Sequence, residues 1–158
     1  MKRTSLSDSL CPVARTLDLI GDWWTLLIVR DALGGVRRFS EFQRSLGVAK
    51  NILSSRLKVL VAEGVMEIGP ASDGSAYQEY LLTQKGKDLY PILIALGQWG
   101  HQYMFSENET CSRVVERETQ QPLAPIALRA QDGRELMAEQ VEVIVGQRAD
   151  SVTHKLSE

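Results

Sequence analysis

The stretch RFSEFQRSLGVAKNILSSRLKVLVAEG, from Arg38 to Gly64, contains two helical patterns separated by a very short break. Ser40 with Gln43 three residues on has the capping-box spacing. Phe42 and Leu46 lie four apart, and Gly47 ends this first, short helix. In the second helix Leu53, Leu57 and Leu60 recur at i, i+4 and i+7, flanked by Ile52 and Val61, and Gly64 closes it. The opposite face offers Lys50, Asn51, Ser54, Ser55 and Lys58. A short helix and a longer one joined by a glycine-containing turn fit a helix-turn-helix. The polar face is then either shaped for a DNA groove or the solvated side of an ordinary amphipathic helix.

The elements on either side favour the first reading. Upstream, Pro12 starts a helix that runs to Ile20, Gly21 ends it, and Asp22 can cap the next. WWTLLIVRDAL has apolar residues on more than one face and reads as a mostly buried helix, stopped by Gly34-Gly35. Downstream, VMEIG and YQEYLL are short and strand-like around a turn-rich loop from about Pro70 to Ala76. This hairpin would supply the wing of a winged helix. Thr83 can cap a long helix through Leu89, Ile92, Leu93, Leu96, Trp99 and Tyr103, in which Pro91 predicts a kink or local break. Beyond Glu107 the texture turns polar. VVERET, PIALRA and QVEVIV read as short strands, Asp132-Gly133 marks a hairpin, and the last ten residues look frayed.

The net charge of −2 conceals an asymmetry. Residues 1–64 hold 10 Lys/Arg against 6 Asp/Glu, and residues 65–158 hold 8 against 14. Between 37 and 58 there are six cations and one anion, Glu41. A local basic patch is what phosphate binding requires; a solvated face on an acidic protein is the plainer alternative. In a groove, Asn51 can pair with adenine and the serines with base or phosphate. Arg37 and Arg38, just before the short helix, suit the DNA backbone.

Other function classes find little support. No apolar run of 18 residues suggests a membrane span, and the N-terminus lacks the apolar core of a signal peptide. His101 and His154 stand in no metal-ligand spacing, and no nucleophile elbow or phosphate loop is present, so we expect no enzyme, metal or cofactor. Cys11 and Cys111 are too few for a disulfide framework, and a reducing cytoplasm is expected. Cys11 precedes Pro12 at a helix start, with Arg15 one turn later, which favours a reactive thiolate; an inert half-buried cysteine is the alternative. Nothing local marks Cys111. Trp23, Trp24, Trp99 and Tyr103 read as core or dimer-interface anchors, or as the wall of an effector pocket between protomers.

CPVARTLDLIGDWWTLLIVRDALGG, RFSEFQ, NILSSRLKVL and EYLLTQKG leading to QWG together resemble the HxlR-type winged-helix regulators of bacteria, over about residues 9–105. The resemblance implies a homodimer, paired through the N-terminal and last long helices, bound to operators with two-fold symmetry. It also implies that a cysteine at the place of Cys11 can act as a redox or electrophile sensor. Residues 110–146 resemble a C-terminal extension of some members. The chain departs from the family at the wing, where members often carry Arg or Lys. Here SDGSAYQEY has Asp73 and no basic residue, so Ser75 and Gln78 are the wing's candidate contacts.

The expectation is therefore a mainly α (α+β) fold: a winged helix-turn-helix with a long C-terminal dimerisation helix over 9–106, and a small β appendage over 107–148. Its function would be sequence-specific binding of double-stranded operator DNA as a homodimer, modulated by a small-molecule or oxidant effector. The DNA contacts would be Arg37, Arg38, Ser40, Lys50, Asn51, Ser54, Ser55, Lys58, Ser75 and Gln78. A winged-helix protein-interaction module is the rival.

Overall fold

The computed structural model describes residues 5–144 and 146. The frayed last ten residues and His154 of the sequence reading lie outside them. In chain order the elements are α1 (Pro12–Ile20), α2 (Trp23–Leu33), α3 (Phe39–Leu46), α4 (Lys50–Ala62), β1 (Met66–Pro70), β2 (Gln78–Leu82), α5 (Gln84–Lys87), α6 (Tyr90–Tyr103), β3 (Leu128–Arg129) and β4 (Glu135–Leu136). The chain gathers into two units, residues 24–126 and the segments before and after them.

The core of the larger unit is built by the periodicities seen in the sequence. Leu53, Leu57 and Leu60 of α4 are at most 1% exposed, as are Ile28, Val29, Phe42, Val65 and Met66. In α2 the buried residues are Thr25, Ile28, Val29 and Asp31. That helix is mostly buried, as expected: of its residues only Trp23, at 79%, and Arg30 are exposed.

The start of α3 also differs from expectation. Ser40 is not the cap; the helix begins at Phe39, with Arg38 in the cap position. The orphan N–H groups are met by Glu41, whose Oε2 accepts from the backbone N of Arg38 (3.0 Å) and of Arg37 (3.1 Å). These N–H groups hold the Glu41 carboxyl below its ordinary pKa, the Arg38 bond contributing most. Gly47 (φ 61°) ends α3, and α4 closes in a Schellman pattern: Gly64 (φ 67°) donates to Val61 O and Val65 to Leu60 O.

β1 and β2 pair antiparallel from Met66↔Leu82 to Pro70↔Gln78. Tyr80 N donates to Arg37 O (2.8 Å), which ties the strand to the segment entering α3. Thr83 Oγ1 caps α5 by accepting from Gly86 N (3.3 Å). Of the two outcomes Pro91 offers, the chain takes the break: α5 stops at Lys87 and α6 starts afresh at Tyr90, with Pro91 in its first turn, where a missing N–H costs nothing.

In the smaller unit β3 and β4 pair across the turn at Gly133 (φ 88°), within the expected hairpin. VVERET, which belongs to the larger unit, and QVEVIV do not form strands. Val115 makes one isolated bridge to Pro122, Gln140 ends a 3-10 turn, and Val141 to Ile144 take no regular structure; Val145 lies outside the described residues. An alternating pattern forms a strand only where a partner edge meets it.

Candidate nucleic-acid interface

α4 presents its polar face opposite the buried leucines. Lys50, Asn51, Ser55 and Lys58 are exposed and Ser54 is half-buried. Asn51, Ser54, Ser55 and Lys58 follow at i, i+3, i+4 and i+7, so they share one face. Among the described residues none of these five side chains has a hydrogen bond or ion pair within the chain, so their donors are free for a ligand. Ala49 in the cap position supplies no side-chain bond. The N–H groups of the first turn therefore stay open at the positive end of the helix dipole, a place that suits phosphate.

The wing is chemically different. The Arg38 guanidinium reaches Asp73 Oδ2 (2.5 Å) and Glu79 Oε1 (3.5 Å), with Tyr77 5.7 Å from it in cation–π range. Arg37 Nη1 lies 3.6 Å from Glu79 Oε2. Glu79 is 3% exposed and also accepts from Ser72 Oγ (3.1 Å). The Ser75 side chain, Arg38 and the Ser75 N–H hold the Asp73 carboxyl well below the usual carboxylate range. The two arginines expected to meet phosphate thus already face two carboxylates, and Arg38 is a tie between α3 and the wing. Ser40 and Gln78 are exposed, and Ser75 lies half-buried in the wing turn.

Sequence reasoning missed Glu79. Its signal was a carboxylate at an inward strand position, which needs a cation partner; only the folded hairpin shows that Arg38 and Arg37, 41 and 42 positions upstream, provide it.

The aromatic residues divide. Trp99 and Tyr103 stack one turn apart on α6, with ring centroids 5.3 Å apart, and are 55% and 60% exposed. Ile92 and Leu96 extend that exposed stripe, and no α6 residue is fully buried. Trp24 is half-buried. A cavity of about 300 Å³ does lie against α6, lined by Leu93, Ile94, His101, Val114, Pro122 and Leu123 among others, but none of the four expected aromatics lines it.

Cys11 is exposed in the cap position of α1, and its N–H, not its sulfur, makes the bond there, to Ser9 Oγ (3.2 Å). Arg15 Nε donates to Ser9 O. Cys111, unremarkable in the sequence, has His101 Nδ1 3.0 Å from its sulfur. No group of three or more metal-binding side chains occurs among the described residues, and no helix there is long and apolar enough to cross a membrane.

The model of the HxlR-like helix-turn-helix family matches residues 19–108. Rv3095 of Mycobacterium tuberculosis, an HTH-type transcriptional regulator, is 46% identical over 92 residues, 58% of each chain. The present chain thus spans less than two thirds of the length of the mycobacterial relatives it matches. The solved structure of PA1607, a candidate transcription factor, superposes with a TM-score of 0.84 at 53% identity, covering 89% of this chain and 99% of that one. The redox regulator HypR in its oxidized form gives a TM-score of 0.54 at 31% identity over 61% of this chain and 100% of that one.

Proposed function

Because this chain belongs to the HxlR-like helix-turn-helix family, we propose that it is a transcriptional regulator that binds double-stranded DNA sequence-specifically as a homodimer. The observation that carries the reading is the unpartnered polar face of α4 opposite its buried leucines. In the major groove Asn51 reads base edges, Ser54 and Ser55 meet base or phosphate, and Lys50 and Lys58 bind phosphate. Ser40, Ser75 and Gln78 contribute backbone contacts; the half-exposed Arg37 stands beside them but is held back by Glu79, and Arg38 acts by fixing the wing. Residues 9–106 form the binding and dimerisation domain, and 107–148 the extension.

The apolar stripe of α6 supports dimerisation. Ile92, Leu96, Trp99 and Tyr103, each 42–60% exposed, leave a contiguous apolar face that a second copy would cover, as would the exposed Val13, Leu17 and Trp23 of the N-terminal segment. A two-fold dimer then addresses a palindromic operator with half-sites about 34 Å apart. Occluding a promoter needs no further surface, which favours repression in the cytoplasm. Likeness to a redox regulator and the exposure of Cys11 support control by oxidation there.

The second reading, a protein-interaction module, draws on the wing, whose arginines are offset by Asp73 and Glu79. Anisotropy titration against the DNA flanking its own gene, at two salt concentrations, separates the two. Tight, salt-sensitive binding lost in Lys50→Ala/Asn51→Ala is the expected result. Binding no tighter than to a random duplex would favour the interaction module.

A further inference from the structure

Cys111 and His101 are ten residues apart in sequence, yet Sγ and Nδ1 lie 3.0 Å apart. The imidazole is set against Phe105, with ring centroids 6.5 Å apart. Cys111 is half-buried; it does not itself line the cavity beside α6, but its contact partner His101 and its chain neighbour Ser112 do. That cavity has a volume of about 300 Å³ and mainly apolar walls, from Leu93, Ile94, Val114, Pro122 and Leu123. The Gln98 amide at its edge is already used: Nε2 donates to Ala124 O (2.9 Å), and Oε1 accepts from Ile126 N (2.8 Å). A nucleophile, a base in contact with it and an adjoining apolar space are the parts of a covalent site.

We propose that Cys111, with His101 as its general base, is a covalent modification site for α,β-unsaturated carbonyl compounds that carry an apolar chain. His101, in the tautomer with its proton on Nε2, accepts the thiol proton at Nδ1 as the sulfur attacks the β-carbon. The new S–C bond takes the sulfur's electron pair, and the C=C π pair moves towards the carbonyl to give the enolate. The imidazolium then returns the proton to the α-carbon. Nothing leaves and nothing is oxidised, so no further reactant is needed. The apolar walls select the chain: a small polar oxidant gains nothing from them, whereas an alkyl chain leaves water on entering. Cys11 has neither a base in contact through its sulfur nor a described cavity beside it.

The test uses the full chain with trans-2-nonenal and acrolein, following adducts at each cysteine by peptide mapping. Each rate is divided by that of the same aldehyde with glutathione. Cys111 is expected to react about tenfold or more faster than Cys11 with nonenal, and its normalised rate to exceed that for acrolein. His101→Asn, on the exposed side of α6, should slow Cys111 by about tenfold or more and leave Cys11 unchanged. Equal rates at the two cysteines, a normalised rate indifferent to chain length, or an unaffected His101→Asn protein with native circular dichroism would each overturn the proposal. The chain-length comparison needs no variant and decides the matter even if His101→Asn misfolds.

Discussion

Replacing Glu79 by Gln should tighten DNA binding while it weakens the fold. The carboxylate is 3% exposed and lies 3.6 Å from Arg37 and 3.5 Å from Arg38. The amide keeps the shape and can still accept from Ser72, but removes the charge. Arg38 stays held by Asp73 at 2.5 Å; Arg37, half-exposed at the entrance to α3, has no other ion-pair partner among the described residues. One cation per protomer is therefore freed, two in the proposed dimer. Each phosphate contact steepens the dependence of log K on log salt by about 0.9, so the slope should become more negative by about 1.8. Both arginines are partly solvated, so the lost pairing should cost the fold about 1–2 kcal/mol, below the 3–5 of a fully buried pair. Anisotropy titrations of one operator duplex from low to moderate salt give the slope, and urea unfolding gives the stability. An unchanged slope with a destabilised fold would show that Arg37 does not reach phosphate. An unchanged slope with unchanged stability would refute the account of the wing's charge network altogether.

Five further outcomes are expected. Asn51→Ala should lose about 1–3 kcal/mol of discrimination at one base position, whereas Lys58→Ala should weaken all duplexes alike and flatten the dimer's salt slope by about 1.8, both read by competition titration. Leu57→Ala, at a 1% exposed site, should destabilise by about 2–5 kcal/mol in denaturant unfolding. Asp73 has a depressed pKa when folded, so its contribution to stability is complete above the ordinary carboxylate value of about 3.9 and is lost as pH falls from there. Thermal unfolding between pH 5 and 2.5 should accordingly fall less steeply for Asp73→Asn than for the parent chain. Leu96→Asp, in the exposed stripe of α6, should yield monomers by light scattering, and an unchanged mass would remove α6 from the dimer interface.

What the sequence made legible was set by neighbours along the chain. The leucine face of α4, the glycine ends of α3 and α4, and the hairpin about 70–76 all follow from local spacing and backbone freedom, and the structure has them. The start of α3 did not follow, because Glu41 reaches back to two N–H groups and outcompetes the Ser40 signal. The strands read into VVERET and QVEVIV failed because an alternating pattern cannot reveal whether a partner edge exists. The charged wing and the contact of His101 with Cys111 were hidden for a related reason. Each joins residues whose proximity is created by a fold, across the hairpin in one case and the turn after α6 in the other. The exposed face of α4 was legible residue by residue; the neutralisation of Arg38 was not.

The junction between α4 and α5 behaves as a clutch with no slip. Thr83 Oγ1 donates to Gly64 O (2.6 Å), and Lys85 Nζ donates to Glu63 O (2.6 Å), so the start of α5 is bolted to the end of α4. Gly86 packs so closely on the Val65 carbonyl that any side chain there would collide with it. Only Asp88 and Leu89 separate this clamp from α6. A helix of 14 residues is a rod about 21 Å long, and tilting it by ~10° moves its far end by about 4 Å. With so little chain in between, the near end of α6 is pinned beside the end of α4, and such a tilt would pivot about that point.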